Sequence, residues 1–353
     1  MIRVLIVEDS PSIRELLSYI INADPELKIV GTSENGEEAV EAVTRLKPDI
    51  VTMDIHMPKM DGFEATRRIM ETQPTPIVVV SGSTSVKDVS NALRTVEAGA
   101  LSIMPKPYGL GHPQHAASAK ELVQMIKLMA GVKVVKHWPK RRITTEPLPL
   151  PAVISVKTTT GIQVVAMGGS TGATTVFQTI LRGLSGDFPV PVLIVQHMAI
   201  DFIKGFSEWL TDTTTFPTSV AVNGEYLLSG HAYVAPERFH MGIDFNKQIV
   251  YAAGDPENGA LPSVSHLFRS VAQCFGNQAI GVLLSGMGQD GARELKMMRD
   301  RGALTIAQDK ESSVVFGMPG MAVELGAVDM VLPPESIAPV LVSVVRRLAV
   351  EKQ

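Results

Sequence analysis

Val164-Val165-Ala166-Met167 runs directly into Gly168-Gly169-Ser170-Thr171-Gly172-Ala173, and the stretch 174–184 that follows has a helical pattern. Four apolar residues in a row leave no polar face, which suits a strand buried on both sides in a parallel sheet. A strand that turns through glycines into a helix is the unit from which α/β domains are built. The turn also sets Ser170 at a helix N-terminus, where backbone N–H groups can hold an anion. Taken alone, the loop fits a nucleophilic serine, a phosphate-binding loop or a plain turn. The lysine of a G-x-x-x-x-G-K loop is missing, and G-x-G-x-x-G is not matched. The next strand also lacks a terminal acid for a ribose.

Working outward, further strands are expected at 190–195, 232–235, 249–252, 279–284, 303–306 and near 329–332, with helices between several of them. The expectation is a doubly wound, mostly parallel α/β domain with an antiparallel excursion around 220–255. Two more strand ends carry chemistry. Val192-Leu193-Ile194-Val195 ends in Gln196-His197-Met198, and Ile280–Leu284 ends in Ser285-Gly286-Met287-Gly288-Gln289-Asp290-Gly291. Ser170, His197 and Asp290 from three strand ends make a candidate triad, in which His197 is the base, Asp290 sets its tautomer and the Met287 N–H donates to an oxyanion. His231, His240 and His266 are further candidates to line the cleft, and Asp309 and Asp329 are alternative acids outside so glycine-rich a turn.

The N-terminal 130 residues alternate five apolar strands with five helical patterns, which predicts a (βα)5 parallel sheet covered on both faces. In such a sheet the functional crevice lies beyond the carboxyl ends of the strands. Glu8 and Asp9 end the first strand, Asp54 the third, Ser81 the fourth and Lys106 the fifth. Clustered carboxylates are costly without a cation, and Mg²⁺, which prefers oxygen ligands, suits them. Phosphoryl transfer then has its parts, with Asp54 as nucleophile and Ser81 and Lys106 contacting the phosphoryl oxygens.

At 353 residues the chain favours two domains, and 45% apolar against 19% charged residues excludes a disordered one. The expected division is a phosphoryl-accepting domain at 1–130, a linker at 131–160 and a catalytic domain at 161–353. The linker is proline-rich and basic, with six basic residues and one acidic, whereas 161–353 carries 13 basic against 18 acidic. That balance argues against a nucleic-acid surface. No apolar run approaches the ~20 residues of a membrane span, and the single cysteine, Cys274, permits no internal disulfide. A cytoplasmic protein without membrane insertion is expected.

With Met57-Pro58 and Met60-Asp61-Gly62 following Asp54, residues 1–130 resemble the receiver domain of two-component response regulators. The resemblance implies a flavodoxin-like fold, Mg²⁺ bound through Glu8, Asp9, Asp54 and the backbone carbonyl of His56, and a histidine kinase as phosphodonor. Ile103 and Met104 stand where many receivers carry an aromatic residue. The second domain resembles the CheB family, the protein-glutamate methylesterases of bacterial chemosensory systems. The matching segments are Gly169-Ser170-Thr171-Gly172, Gln196-His197-Met198, Tyr233-Val234-Ala235-Pro236 with His240, Pro262-Ser263-Val264, Leu267-Phe268, Leu283 through Gly291, and Ala307 through Pro333. It implies hydrolysis of glutamyl methyl esters on the cytoplasmic helices of methyl-accepting chemoreceptors, deamidation of receptor glutamines, relief of inhibition by phosphorylation, and no cofactor for the esterase. Departures are Ala173, Met198-Ala199-Ile200-Asp201 and Ser265-His266.

Overall fold

The computed structural model describes residues 1–82, 85–134 and 161–350, so most of the expected linker, from 135 to 160, lies outside the described residues. The chain divides into two compact units, Met1–Thr144 and Thr145–Gln353.

The first unit runs β1 (Ile2–Val7), α1 (Pro11–Asn22), β2 (Leu27–Ser33), α2 (Gly36–Leu46), β3 (Ile50–Met53), α3 (Gly62–Thr72), β4 (Ile77–Ser81), α4 (Val86–Glu97), β5 (Ser102–Pro105) and α5 (His115–Ala130). Its sheet is wholly parallel, in the order β2-β1-β3-β4-β5. That is the flavodoxin-like order, whose reversal beside β1 opens a crevice between the ends of β1 and β3. Val4–Val7 and Ile77–Val80 are all buried, as expected of strands covered on both faces. The helix starts are encoded locally: Asn35, Asp61 and Ser85 each accept a hydrogen bond from the backbone N–H three residues on. Gly62 has a tighter constraint, because a Cβ there would lie 2.1 Å from the Asp54 carbonyl oxygen.

The second unit runs β6 (Val164–Gly169), α6 (Thr174–Arg182), β7 (Val192–Gln196), α7 (Ile203–Thr214), β8 (Thr218–Val220), β9 (Ala232–Val234), β10 (His240–Ile243), β11 (Ile249–Ala252) and α8 (Val264–Phe275). It continues with β12 (Ala279–Leu283), α9 (Ala292–Asp300), β13 (Leu304–Gln308), α10 (Met318–Glu324), β14 (Met330–Leu332) and α11 (Pro334–Val350). Seven strands form one parallel sheet, β14-β13-β12-β6-β7-β9-β8. The antiparallel excursion is the separate β10–β11 hairpin. After β6 the chain winds outward through β7, then returns to lay β12 on the other side of β6. The switch point of this sheet therefore lies between the ends of β6 and β12. The core beneath it includes Val164, Ala166, Leu193, Val195, Phe268 and Leu283.

Candidate active site

In the second unit, Ser170 follows β6 at that switch point. Its N–H donates to the Ser285 carbonyl at 2.9 Å, which ties the serine loop to the turn after β12. Gly172 sits at φ +83°, and a Cβ there would meet Val314 and Ser285. Gly286 leaves room for Ser170 itself, since its own Cβ would lie 2.8 Å from the Ser170 Cβ. The glycines thus let three backbone segments close around one serine. The Ser170 hydroxyl makes no hydrogen bond among the described residues, to His197 included.

His197 comes from the neighbouring strand end. Gly169 and Gln196 are register partners, and the His197 N–H donates to the Gly169 carbonyl at 3.0 Å. The Gln196 side chain spans the same gap, donating at 3.0 Å to the Ser170 carbonyl and at 2.8 Å to that of His197. His197 Nε2 lies 2.9 Å from Asp290 Oδ2.

Asp290 is buried and richly hydrogen-bonded. Oδ2 accepts from the Val264 N–H at 2.7 Å as well as from His197. Oδ1 accepts from Ser263 Oγ at 2.9 Å, the Ser265 N–H at 3.1 Å and Asn258 Nδ2 at 3.3 Å. Ser263 is the N-cap of α8, so the carboxylate rests on the positive end of that helix. Burial would raise its pKa, but hydrogen bonds from His197 and Ser265, the attraction of the His197 ring whenever it is protonated and the Val264 N–H outweigh it and hold the carboxyl far below the usual range. An ionised carboxylate only accepts, so Nε2 of His197 carries the proton and Nδ1 is the basic nitrogen of the neutral ring. The Met287 N–H donates to no protein acceptor among the described residues.

The other candidates lie elsewhere. His231 pairs with Ser219 Oγ at 2.8 Å on β8, and Asp329 binds Arg299 and Thr305. Asp309 caps the turn through the Ser312 N–H. His240 is buried behind α8, stacked on His266 with ring centroids 5.0 Å apart. Sequence reasoning missed Asn258, Ser263 and Ser265 as the groups that hold Asp290. A signal existed for Ser263, which precedes the apolar run of α8 as an N-cap does.

In the first unit, Glu8, Asp9 and Asp54 each present an oxygen within 4.8 Å of the others. Lys106 Nζ lies 2.7 Å from Glu8 Oε2 and 3.0 Å from Asp54 Oδ2. Burial lifts the Glu8 carboxyl above its usual range, and hydrogen bonding to Lys106 only partly offsets that; the Asp54 charge adds to the lift. Burial would lower the Lys106 ammonium, but Glu8 and Asp54 hold it above its ordinary value. One ammonium paired with Glu8 and Asp54 in a cluster of three acidic residues leaves an excess of negative charge on hard oxygen donors, which fits a divalent ion such as Mg²⁺. Ser81 is buried at the end of β4, and its carbonyl accepts from the Lys106 N–H at 2.9 Å. The His56 side chain turns to Asp88, 2.9 Å away. Ile103 and Met104 occupy β5, Met104 buried and Ile103 packed against the core.

Comparison with known proteins places both units. The family described as CheB methylesterase matches residues 165–341, and that described as response regulator receiver domain matches residues 4–118. Over the full length of both chains, the protein is 54% identical to protein-glutamate methylesterase/protein-glutamine glutaminase 4 of Geobacter metallireducens. It is 51% identical to protein-glutamate methylesterase/protein-glutamine glutaminase 1 of Syntrophus aciditrophicus, across 99% of this chain and 100% of that one. The crystal structure of the Thermotoga maritima CheB methylesterase catalytic domain superposes with a TM-score of 0.50 at 34% identity, covering 52% of this chain and 98% of the other.

Proposed function

The chain belongs to the CheB methylesterase family and is a phosphorylation-regulated protein-glutamate methylesterase/protein-glutamine glutaminase, and from that premise we propose how its residues divide the work. Ser170 Oγ attacks the glutamyl ester carbonyl while His197 Nδ1 takes its proton. The Met287 N–H, without an acceptor among the described residues and at the glycine-rich turn beside Ser170, receives the oxyanion. His197 returns the proton to the leaving methoxide, methanol departs, and water hydrolyses the acyl-enzyme by the reverse roles. With a glutamine substrate the leaving group is ammonia. Asp290 keeps the proton of the neutral ring on Nε2 and stabilises the imidazolium that forms.

The observation that carries this assignment is the His197–Asp290 pair at the switch point, with the carboxylate anchored on the N-terminus of α8. Ser170→Ala and His197→Ala are each expected to abolish methanol release from a methylated receptor fragment, and Ser170→Ala to leave the thermal midpoint unchanged. Hydrolysis surviving in either variant overturns it.

The receiver, assigned to residues 1–130 and joined by a 131–160 linker to the catalytic domain at 161–353, accepts the phosphoryl group on Asp54 from a chemotaxis histidine kinase. Glu8, Asp9, Asp54 and the His56 carbonyl would hold Mg²⁺, whose charge neutralises that of the phosphoryl oxygens. Ser81 and Lys106 read the modified aspartate. Phosphorylation shifts the population from a restrained esterase to an active one. The substrates are the cytoplasmic domains of methyl-accepting chemoreceptors, met in the cytoplasm. No helix among the described residues is long and apolar enough to cross a membrane.

A further inference from the structure

The residues around Asp290 form a hydrogen-bonded chain that extends beyond the triad. His240 is 4% exposed at the start of β10. Its Nδ1 lies 3.1 Å from the Ser263 N–H, and its Nε2 lies 3.1 Å from the Asp255 carbonyl. A backbone N–H can only donate and a backbone carbonyl can only accept. These partners therefore fix His240 as the neutral ring with its proton on Nε2. Ser263 is in turn the residue whose hydroxyl donates to Asp290 Oδ1 at 2.9 Å. The sequence of donors runs from His240 Nε2 to the Asp255 carbonyl, from the Ser263 N–H to His240 Nδ1, from Ser263 Oγ to Asp290, and from His197 Nε2 to Asp290.

The surroundings hold this chain in one arrangement. The His266 ring stacks on His240 at an interplanar angle of 16°. Arg269 binds Glu257 through its two terminal guanidinium nitrogens, at 2.8 and 2.7 Å, and reaches Glu294 at 3.6 Å. That clamp secures the loop in which Asn258, at φ +52°, donates to both Ser265 Oγ and Asp290. The hairpin that interrupts the parallel sheet packs on α8 and brings His240 to its N-terminus.

We infer that His240 is a positioning residue for the hydrolase: its unprotonated Nδ1 anchors the Ser263 backbone, and through it the cradle that aims Asp290 at His197. The inference rests on the assignment of Ser170, His197 and Asp290 given above. It makes a distinction that a merely space-filling histidine would not. Asparagine can place an acceptor where Nδ1 stands, whereas glutamine reaches the position of Nε2 and leaves the Ser263 N–H unpaired.

The test measures methanol release by the full chain for parent, His240→Asn, His240→Gln, His240→Leu and Ser170→Ala, with thermal midpoints for each. His240→Asn is expected to keep kcat within about threefold of the parent, while Gln and Leu lower kcat about 10- to 100-fold with KM little changed, as for a misaimed catalytic group. Combining His240→Gln with Ser263→Ala should cost little more than the worse single change, because both act on one chain. Equal kcat for Asn and Gln, or an unchanged kcat in Leu, overturns the inference. If the Leu variant does not fold, the Asn and Gln comparison alone decides. Hydrolysis surviving in Ser170→Ala would instead overturn the triad assignment, so the two failures are told apart.

Discussion

Asp290→Asn tests the hydrogen-bond inventory of the site in detail. Oδ2 accepts from His197 Nε2 and the Val264 N–H, and Oδ1 accepts from Ser263 Oγ, Asn258 Nδ2 and the Ser265 N–H. Both oxygens therefore face a backbone donor that cannot change role. Whichever way the new amide turns, its NH2 meets a backbone N–H, and the buried mismatch costs about 1–3 kcal/mol. At roughly 2–4 °C per kcal/mol for a unit of this size, the thermal midpoint should fall by several degrees. If the NH2 faces His197, Nε2 must become the acceptor and the ring proton moves to Nδ1, the nitrogen assigned to take the Ser170 proton. Wrong-tautomer variants of a serine triad, for which chymotrypsin-type proteases are the reference case, lose about 10⁴ in kcat. Here we expect a loss of about 10³–10⁴ in methanol release. The pH dependence follows from the lowered pKa of the folded state. A carboxylate stabilised this way contributes fully above its unfolded value of about 3.9, and its contribution is lost as pH falls through the lower folded value. The stability gap between parent and variant should therefore be widest near neutrality and narrow below about pH 4. A variant within tenfold of parental kcat, or one with an unchanged midpoint at pH 7, would refute the reasoning.

Gly286→Ala would put a Cβ 2.8 Å from the Ser170 Cβ and 2.3 Å from Met318 Sδ. The methionine can yield, but the serine loop must shift, so kcat should fall about 10- to 100-fold, as read by methanol release. Lys106→Met removes the ammonium that faces Glu8 and Asp54. In chelator it should destabilise the receiver by about 1–3 kcal/mol at pH 7 in urea unfolding. Glu8 already has a raised pKa. The loss should therefore shrink as pH falls and Glu8 protonates, because a group with a raised folded value favours the fold in its protonated form.

The α/β class was legible because both sheets are built from runs such as Val4–Val7 and Val192–Val195, which have no polar face to offer solvent. Ser170, His197 and Asp290 could be picked out because each follows a buried strand at a glycine-rich or polar turn. Strand order was not legible. Nothing local to Leu304–Gln308 says that it pairs with β12 rather than β7, since that choice is made by crossovers. The short β8 has three half-buried residues, Thr218–Val220, with no alternation to mark it. The cradle of Asp290 was hidden for a related reason. Asn258, Ser263, Val264 and Ser265 act through contacts 25 to 32 residues away, and two of those contacts, from Val264 and Ser265, use backbone N–H groups that every residue possesses. His240 was visible as a histidine, but its role depends on which groups meet its two nitrogens.

The central claim joins phosphorylation of Asp54 to hydrolysis at Ser170, and the direct measurement is methanol release from methylated receptor membranes with and without a small-molecule phosphodonor and Mg²⁺. The parent should be stimulated, Asp54→Asn should keep its basal rate without stimulation, and Ser170→Ala should release nothing under either condition. Stimulation of Asp54→Asn, or methanol from Ser170→Ala, would contradict the account.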